Sequence, residues 1–194
     1  MDHWRYYLQG WLLENFGRRP GALSAYREAL AVRPDFHRAA NRLAYTLASL
    51  ERYNEAEPHF HAVLQSDPGN AVAHFNLGYT LDKRGHYDRA VHEFREATRL
   101  NPKIDRAWYG LGLAHARLGQ HREAAEALEQ AATLQPMNPH AWYALGMALH
   151  ATGNMQRFDE VARHMLRFDP KMTRKLIVDS GRSDLAHLVK DLAG

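Results

Sequence analysis

The 194-residue chain contains no cysteine, which excludes disulfides, thiolate metal sites and a cysteine nucleophile while leaving any redox compartment open. It has no run of 18 apolar residues, so no membrane span is expected. The opening Met1-Asp2-His3-Trp4 lacks the basic stretch and apolar block of a signal peptide, and the cytoplasm is the default expectation. Excess charge is also scarce. The net charge of +3 is small and the basic residues are interleaved with acids, which argues against a nucleic-acid partner. Histidine is plentiful at 13, yet no H-x₃-H pair or acidic partner set accompanies it, so no metal site is expected. Gly85, Gly110 and Gly112 do not form a phosphate loop, and no Ser, His and Asp set is recognisable. The expectation is a chain with no catalytic residues and no cofactor.

Proline is infrequent, but its placement is informative. Of 8 in the chain, Pro34, Pro68, Pro102, Pro136 and Pro170 recur every 34 residues without an insertion. On that period the chain divides into repeats 3–36, 37–70, 71–104, 105–138 and 139–172, followed by a segment 173–194. Repeat position 8 is small throughout: Gly10, Ala44, Gly78, Gly112 and Gly146. Position 20 is Ala22, Ala56, Ala90 and Ala124, and position 24 is Tyr26, Phe60, Phe94 and Leu128. The fifth repeat reverses the pair, with Phe158 and Ala162, which roughly conserves volume and reads as repacking.

Start and stop signals place two helices in each repeat. They are expected over His3–Phe16 and from Pro20 to Val32, then His37–Leu50 and Asn54–Gln65, then Ala71–Arg84 and Tyr87–Leu100. The fourth repeat gives Asp105–Leu118 and His121–Leu134, and the fifth Pro139–Ala151 and Met155–Phe168. Asp2 is a candidate first cap, and no strand alternation competes with this pattern. Beyond Pro170, Met172–Val178 reads as a short helix. Leu185, Leu188, Val189 and Leu192 then form a helical apolar stripe suited to a terminal lid, or to a degenerate sixth repeat.

The fourth repeat spells a motif almost letter by letter. Trp108, Leu111, Gly112, His115, Ala124, Leu128 and Pro136 take the spacing W-x₂-L-G-x₂-Y, A-x₃-F, P, and the chain thereby resembles the tetratricopeptide repeat (TPR) family over about 170 residues. The resemblance implies an all-α fold, a TPR α-solenoid in which antiparallel helix pairs stack into a right-handed superhelix forming one domain. It also implies a concave groove, lined by the first helix of each repeat, that receives peptides or helices of other proteins.

Helical geometry marks where such a groove would be. A helix turns about 100° per residue, so positions 2, 5, 9 and 12 of each first helix centre roughly 130° away from the structural positions 4, 7, 8 and 11. Position 5 reads Tyr7, Asn41, Phe75, Tyr109 and Tyr143, and position 9 reads Trp11, Tyr45, Tyr79, Leu113 and Met147. A face exposed only to water would be more polar than this. Arg38, Arg42, Asn76, Lys83, Arg106 and Arg117 stand beside the aromatic strip. Aromatic and Arg side chains dominate interface energetics, and an amide side chain can satisfy a peptide backbone. The expected partner is a protein or peptide with apolar anchors and some acidic character.

Two known groove types of the family do not match. The carboxylate clamp that captures acidic chaperone tails would register on Asn41, Tyr45, Asn76, Arg106 and Gly110, of which only Asn76 and Arg106 suit it. An asparagine ladder at position 6 also fails, because that position reads Leu8, Arg42, Asn76, Gly110 and Ala144. His115 and His121 are expected at a repeat elbow, half-buried and hydrogen-bonded. An alternative function is a self-assembling scaffold that docks head to tail through its aromatic first helix, using Trp4, Tyr6, Tyr7 and Trp11.

Overall fold

The computed structural model describes the backbone of residues 2–192 and the side chains of residues 2–190, so the Leu192 position of the terminal stripe lies outside the described side chains. Eleven α-helices and a terminal 3₁₀ helix follow one another among these residues. They are α1 (Asp2–Asn15), α2 (Arg19–Val32), α3 (His37–Ser49), α4 (Tyr53–Ser66), α5 (Ala71–Lys83), α6 (Tyr87–Leu100), α7 (Asp105–Arg117), α8 (His121–Leu134), α9 (Pro139–Ala151), α10 (Met155–Leu166), α11 (Pro170–Asp179) and the 3₁₀ helix Ser183–Leu192. Each α-helix of the repeats lies within two residues of its expected bounds. Asp2 falls inside α1 and does not cap it.

Two compact units contain these elements. The first, up to Asn101, holds three helix pairs in which α1 packs on α2, α3 on α4, α5 on α6, and each pair on the next through α2–α3 and α4–α5. The second, from Pro102, pairs α7 with α8 and α9 with α10, joins them through α8–α9, and lays α11 against α9 and α10. Between the helices of a pair, Gly17, Gly85, Gly119 and Gly153 take φ of 72°, 79°, 74° and 75°, a left-handed stop that favours glycine. In the second repeat Glu51 fills this role at φ 60°.

Small residues at position 8 let the paired helices approach. A Cβ on Gly10 would lie 2.6 Å from Tyr26 Cε1, and one on Gly78 would lie 2.8 Å from Phe94 Cδ1. On Gly112 it would lie 2.5 Å from Leu128 Cγ. The large position-24 side chains therefore occupy the volume that the missing Cβ leaves, and Ala22, Ala56, Ala90 and Ala124 are fully buried.

In the fifth repeat the residue that fills this space comes from elsewhere. Gly146 faces Leu176 of α11, whose Cδ2 would be 2.7 Å from an added Cβ. Reversal of Phe158 and Ala162 is thus completed by α11. The terminal stripe does bury Leu185 and Val189, with Leu188 packed alongside, but its backbone is 3₁₀ where an α-helix was expected. Three residues per turn still set Leu185 and Leu188 on one side.

Three of the recurrent prolines mark turns fixed by hydrogen bonds to their carbonyls. Trp108 and Trp142 Nε1 donate to the oxygens of Pro102 and Pro136 at 2.9 and 2.8 Å, and His74 Nε2 lies 3.1 Å from that of Pro68. Pro170 departs from this role and opens α11, where Asp169 Oδ1 accepts from Met172 N at 2.8 Å as an N-cap.

Candidate functional site

Within the first unit, positions 5 and 9 of α1, α3 and α5 behave differently. Tyr7 is half-buried, its ring 5.9 Å from Tyr26 and 5.3 Å from Phe36. Phe75 lies 6.1 Å from Phe94, the large residue of its own repeat. Position 5 therefore contributes to packing inside the repeat, which the helical-wheel argument had assigned to other positions. The 100° wheel treats side chains as points, whereas an aromatic ring reaches sideways across the helix pair.

Position 9 is the exposed row. Trp11, Tyr45 and Tyr79 expose 41%, 48% and 40% of their surface. Lys83 Nζ sits 5.4 Å above the Tyr79 ring, and Arg38 lies 5.6 Å over Trp4, so cations already accompany the aromatic surfaces. Tyr53, from the start of α4, meets the Tyr79 ring edge-on at 6.3 Å. Burial, then its hydrogen bond with Tyr79, pushes the Tyr53 phenol up to about 12. Sequence reasoning missed Tyr53 because it opens a second helix, outside the first-helix register of the face.

Arg42 is engaged inside the protein. Glu14 stands 3.5 Å from it and also accepts from Tyr26 Oη at 2.8 Å and from Thr46 Oγ1 at 3.4 Å, tying α1, α2 and α3 together. Asn41 is half-buried and its Oδ1 has no hydrogen-bond partner among the described residues. Asn76 is half-buried beside the exposed Tyr79 row on α5.

The second unit carries Arg106, Tyr109 and Arg117 on α7 and Tyr143 and Met147 on α9. Both arginines are exposed, while Tyr109, Tyr143 and Met147 are partly buried against the core. Burial raises the Tyr109 phenol, and the nearby Arg117 charge opposes that rise. Tyr143 Oη donates to Asp179 Oδ2 at 2.5 Å, and Lys175 Nζ sits 5.3 Å over its ring. The hydrogen bond to Asp179 raises the Tyr143 phenol. α11 thus covers this end of the face, a contact with no periodic signal in the sequence.

The elbow histidine is hydrogen-bonded as expected but buried where half-burial was expected: His115 Nδ1 lies 2.6 Å from Gln120 Oε1. His121 is half-buried at the start of α8. Among the described residues no three His, Cys, Asp or Glu side chains come together to hold a metal ion, and no helix is long and apolar enough to cross a membrane.

Paired helices on a 34-residue period with a small-to-large contact at positions 8 and 24 define a repeat that can be compared with known ones. A family model described as a tetratricopeptide repeat matches residues 7–71, 75–125 and 112–172. The chain belongs to the tetratricopeptide repeat family. No curated protein matches this TPR chain in sequence.

Solved structures similar to it are TPR proteins or resemble them in fold. MamA from Desulfovibrio magneticus RS-1 is 22% identical over 92% of this chain and 96% of its own, with a TM-score of 0.77. YrrB, described as a TPR protein with an unusual peptide-binding site, is 21% identical over 91% and 90%, with a TM-score of 0.79. PilW, a type IV pilus biogenesis factor, is 18% identical over 91% and 83%, with a TM-score of 0.76. At these identities the likeness is one of fold.

Proposed function

We propose that this TPR protein is a non-enzymatic adaptor that holds a peptide or helical segment of a partner protein against the first helices of its repeats. The observation that carries this reading is the row Trp11, Tyr45 and Tyr79. These side chains recur at one repeat position, and each keeps two-fifths or more of its surface open to solvent. A large aromatic left half-exposed has apolar surface to bury and a polar edge to satisfy, the combination found at interface anchors. Lys83 over Tyr79 and Arg38 over Trp4 favour a segment with acidic residues between its apolar anchors. YrrB, with the same fold, is described as having a peptide-binding site, which supports the class of function without locating the site here.

The test is capture of partners by wild type and by the Tyr45→Ala, Tyr79→Ala double variant. Interface anchors typically contribute about 2 kcal/mol or more each, so a partner bound through this row should be lost or weakened by more than tenfold. Helix content and melting should be nearly unchanged. Retention of the same partner at the same strength by the double variant would remove this row from the site.

A further inference from the structure

The outer face of α1 is the largest group of uncovered apolar side chains on one described helix. Trp4, Leu8 and Leu12 expose 39%, 53% and 49% of their surface, and Phe16, one residue past the end of the helix, exposes 78%. The corresponding places in later repeats are built for a neighbour. Position 3 is Ala39, Ala73 and Ala141 and position 10 is Thr46, Thr80 and Ala148, all buried where a preceding helix pair packs on them. In the first repeat these positions are Arg5 and Leu12. Their bulk keeps another TPR helix pair from seating at the same close distance. The face is shaped for a wider helix–helix contact.

It is also complementary to itself. When two α1 helices lie antiparallel about a two-fold axis at the level of Gly10, residues whose numbers sum to 20 face one another. Leu8 then meets Leu12 of the other copy, Trp4 meets Phe16, and Arg5 meets Asn15. Antiparallel helix dipoles add to the fit. Trp4, Leu8, Leu12 and Phe16 follow one another at a step of four, a single apolar row along the face.

The area suffices. An aromatic side chain buries about 150–250 Å², so four side chains exposed by these fractions offer roughly 400 Å² of apolar surface per copy. A stable interface needs about 800 Å² per partner, a little over half of it apolar. We propose that the outer face of α1 is the interface of a two-fold homodimer in which α1 packs antiparallel on α1 of a second copy. Such an isologous contact closes on itself, in contrast to a head-to-tail chain. Tyr6 takes no part, since it packs against the buried Ala29, Phe36 and Ala39.

Sedimentation over a micromolar concentration series reads the proposal. Wild type should sediment as twice its 22.2 kDa mass, and Leu12→Glu should shift the mass to a single chain with helix content unchanged. Antiparallel register is read by cross-linking, because the chain has no cysteine of its own. Leu8→Cys and Leu12→Cys should cross-link under mild oxidation when mixed, and neither should do so alone. A 22.2 kDa species at every concentration overturns the proposal, as does a dimer indifferent to Leu12→Glu or cross-linking of either cysteine variant by itself. A different protein or another segment bound to this face would also leave the purified chain monomeric. Partner capture through Tyr45 and Tyr79 should survive Leu12→Glu, so the two readings fail separately.

Discussion

Gly112 shows how much one missing methyl group controls. A Cβ there would lie 2.5 Å from Leu128 Cγ and 3.1 Å from the backbone oxygen of Ala124, and the oxygen cannot rotate away. At Gly78 the nearest atoms all belong to the Phe94 ring, which can tilt. Gly112→Ala should therefore cost about 1–3 kcal/mol by overpacking, and Gly78→Ala less, because alanine recovers about 0.5–1 kcal/mol of helix propensity where the ring gives way. Urea midpoints of the two variants check the order. His59 supplies a pH prediction. Burial and then the Arg27 charge hold its imidazole below the ordinary value of 6.5. The folded protein thus binds this proton less readily than the unfolded chain, so its contribution to stability is complete above about pH 6.5 and declines as pH falls through the depressed folded value. His59→Gln should flatten the fall in melting temperature on going from pH 7 to pH 5. An unchanged profile would show that His59 does not carry it.

The exchange of Phe158 and Ala162 is legible as an element-level event only in part. Sequence shows that the large and small residues trade places, because period and volume are both written in it. It does not show that Leu176 fills the space facing Gly146, because that contact joins residues outside the 34-residue register. The same limit applies to the face. The position-9 row was readable from helical phase, whereas the Glu14–Arg42 pairing and the Asp179–Tyr143 bond depend on side-chain reach between helices. Leu176 is fully buried, so Leu176→Ala should lose about 2–5 kcal/mol through the cavity beside Gly146. Thermal unfolding measures this loss. Leu188→Ala, on a partly buried residue, should cost less, and equal losses would count against a special role for Leu176.

At the scale of the whole chain, repeat proteins derive stability from contacts between neighbours, so an uncovered last pair is a weak point. The cluster around Leu145, Leu149, Phe158, Val161 and Met165 is closed by Leu176, Ile177, Leu185 and Val189, all from beyond Pro170. The outward side of that segment is polar: Lys175 pairs with Asp179 at 2.5 Å, and Arg182 with Asp184 at 2.7 Å. Arg182 also reaches back to Asp159 of α10 at 2.8 Å and lies 5.1 Å over the Phe158 ring, holding the lid on the pair it covers. Removing residues from 169 onward should uncover the Phe158 region while leaving the contacts of the first three repeats in place. The shortened protein should bind a hydrophobic dye, melt earlier than the full chain, and lose amide protection first in α9 and α10. If exchange instead rose equally in α3 and α4, the terminal segment would support the entire array and not its last pair.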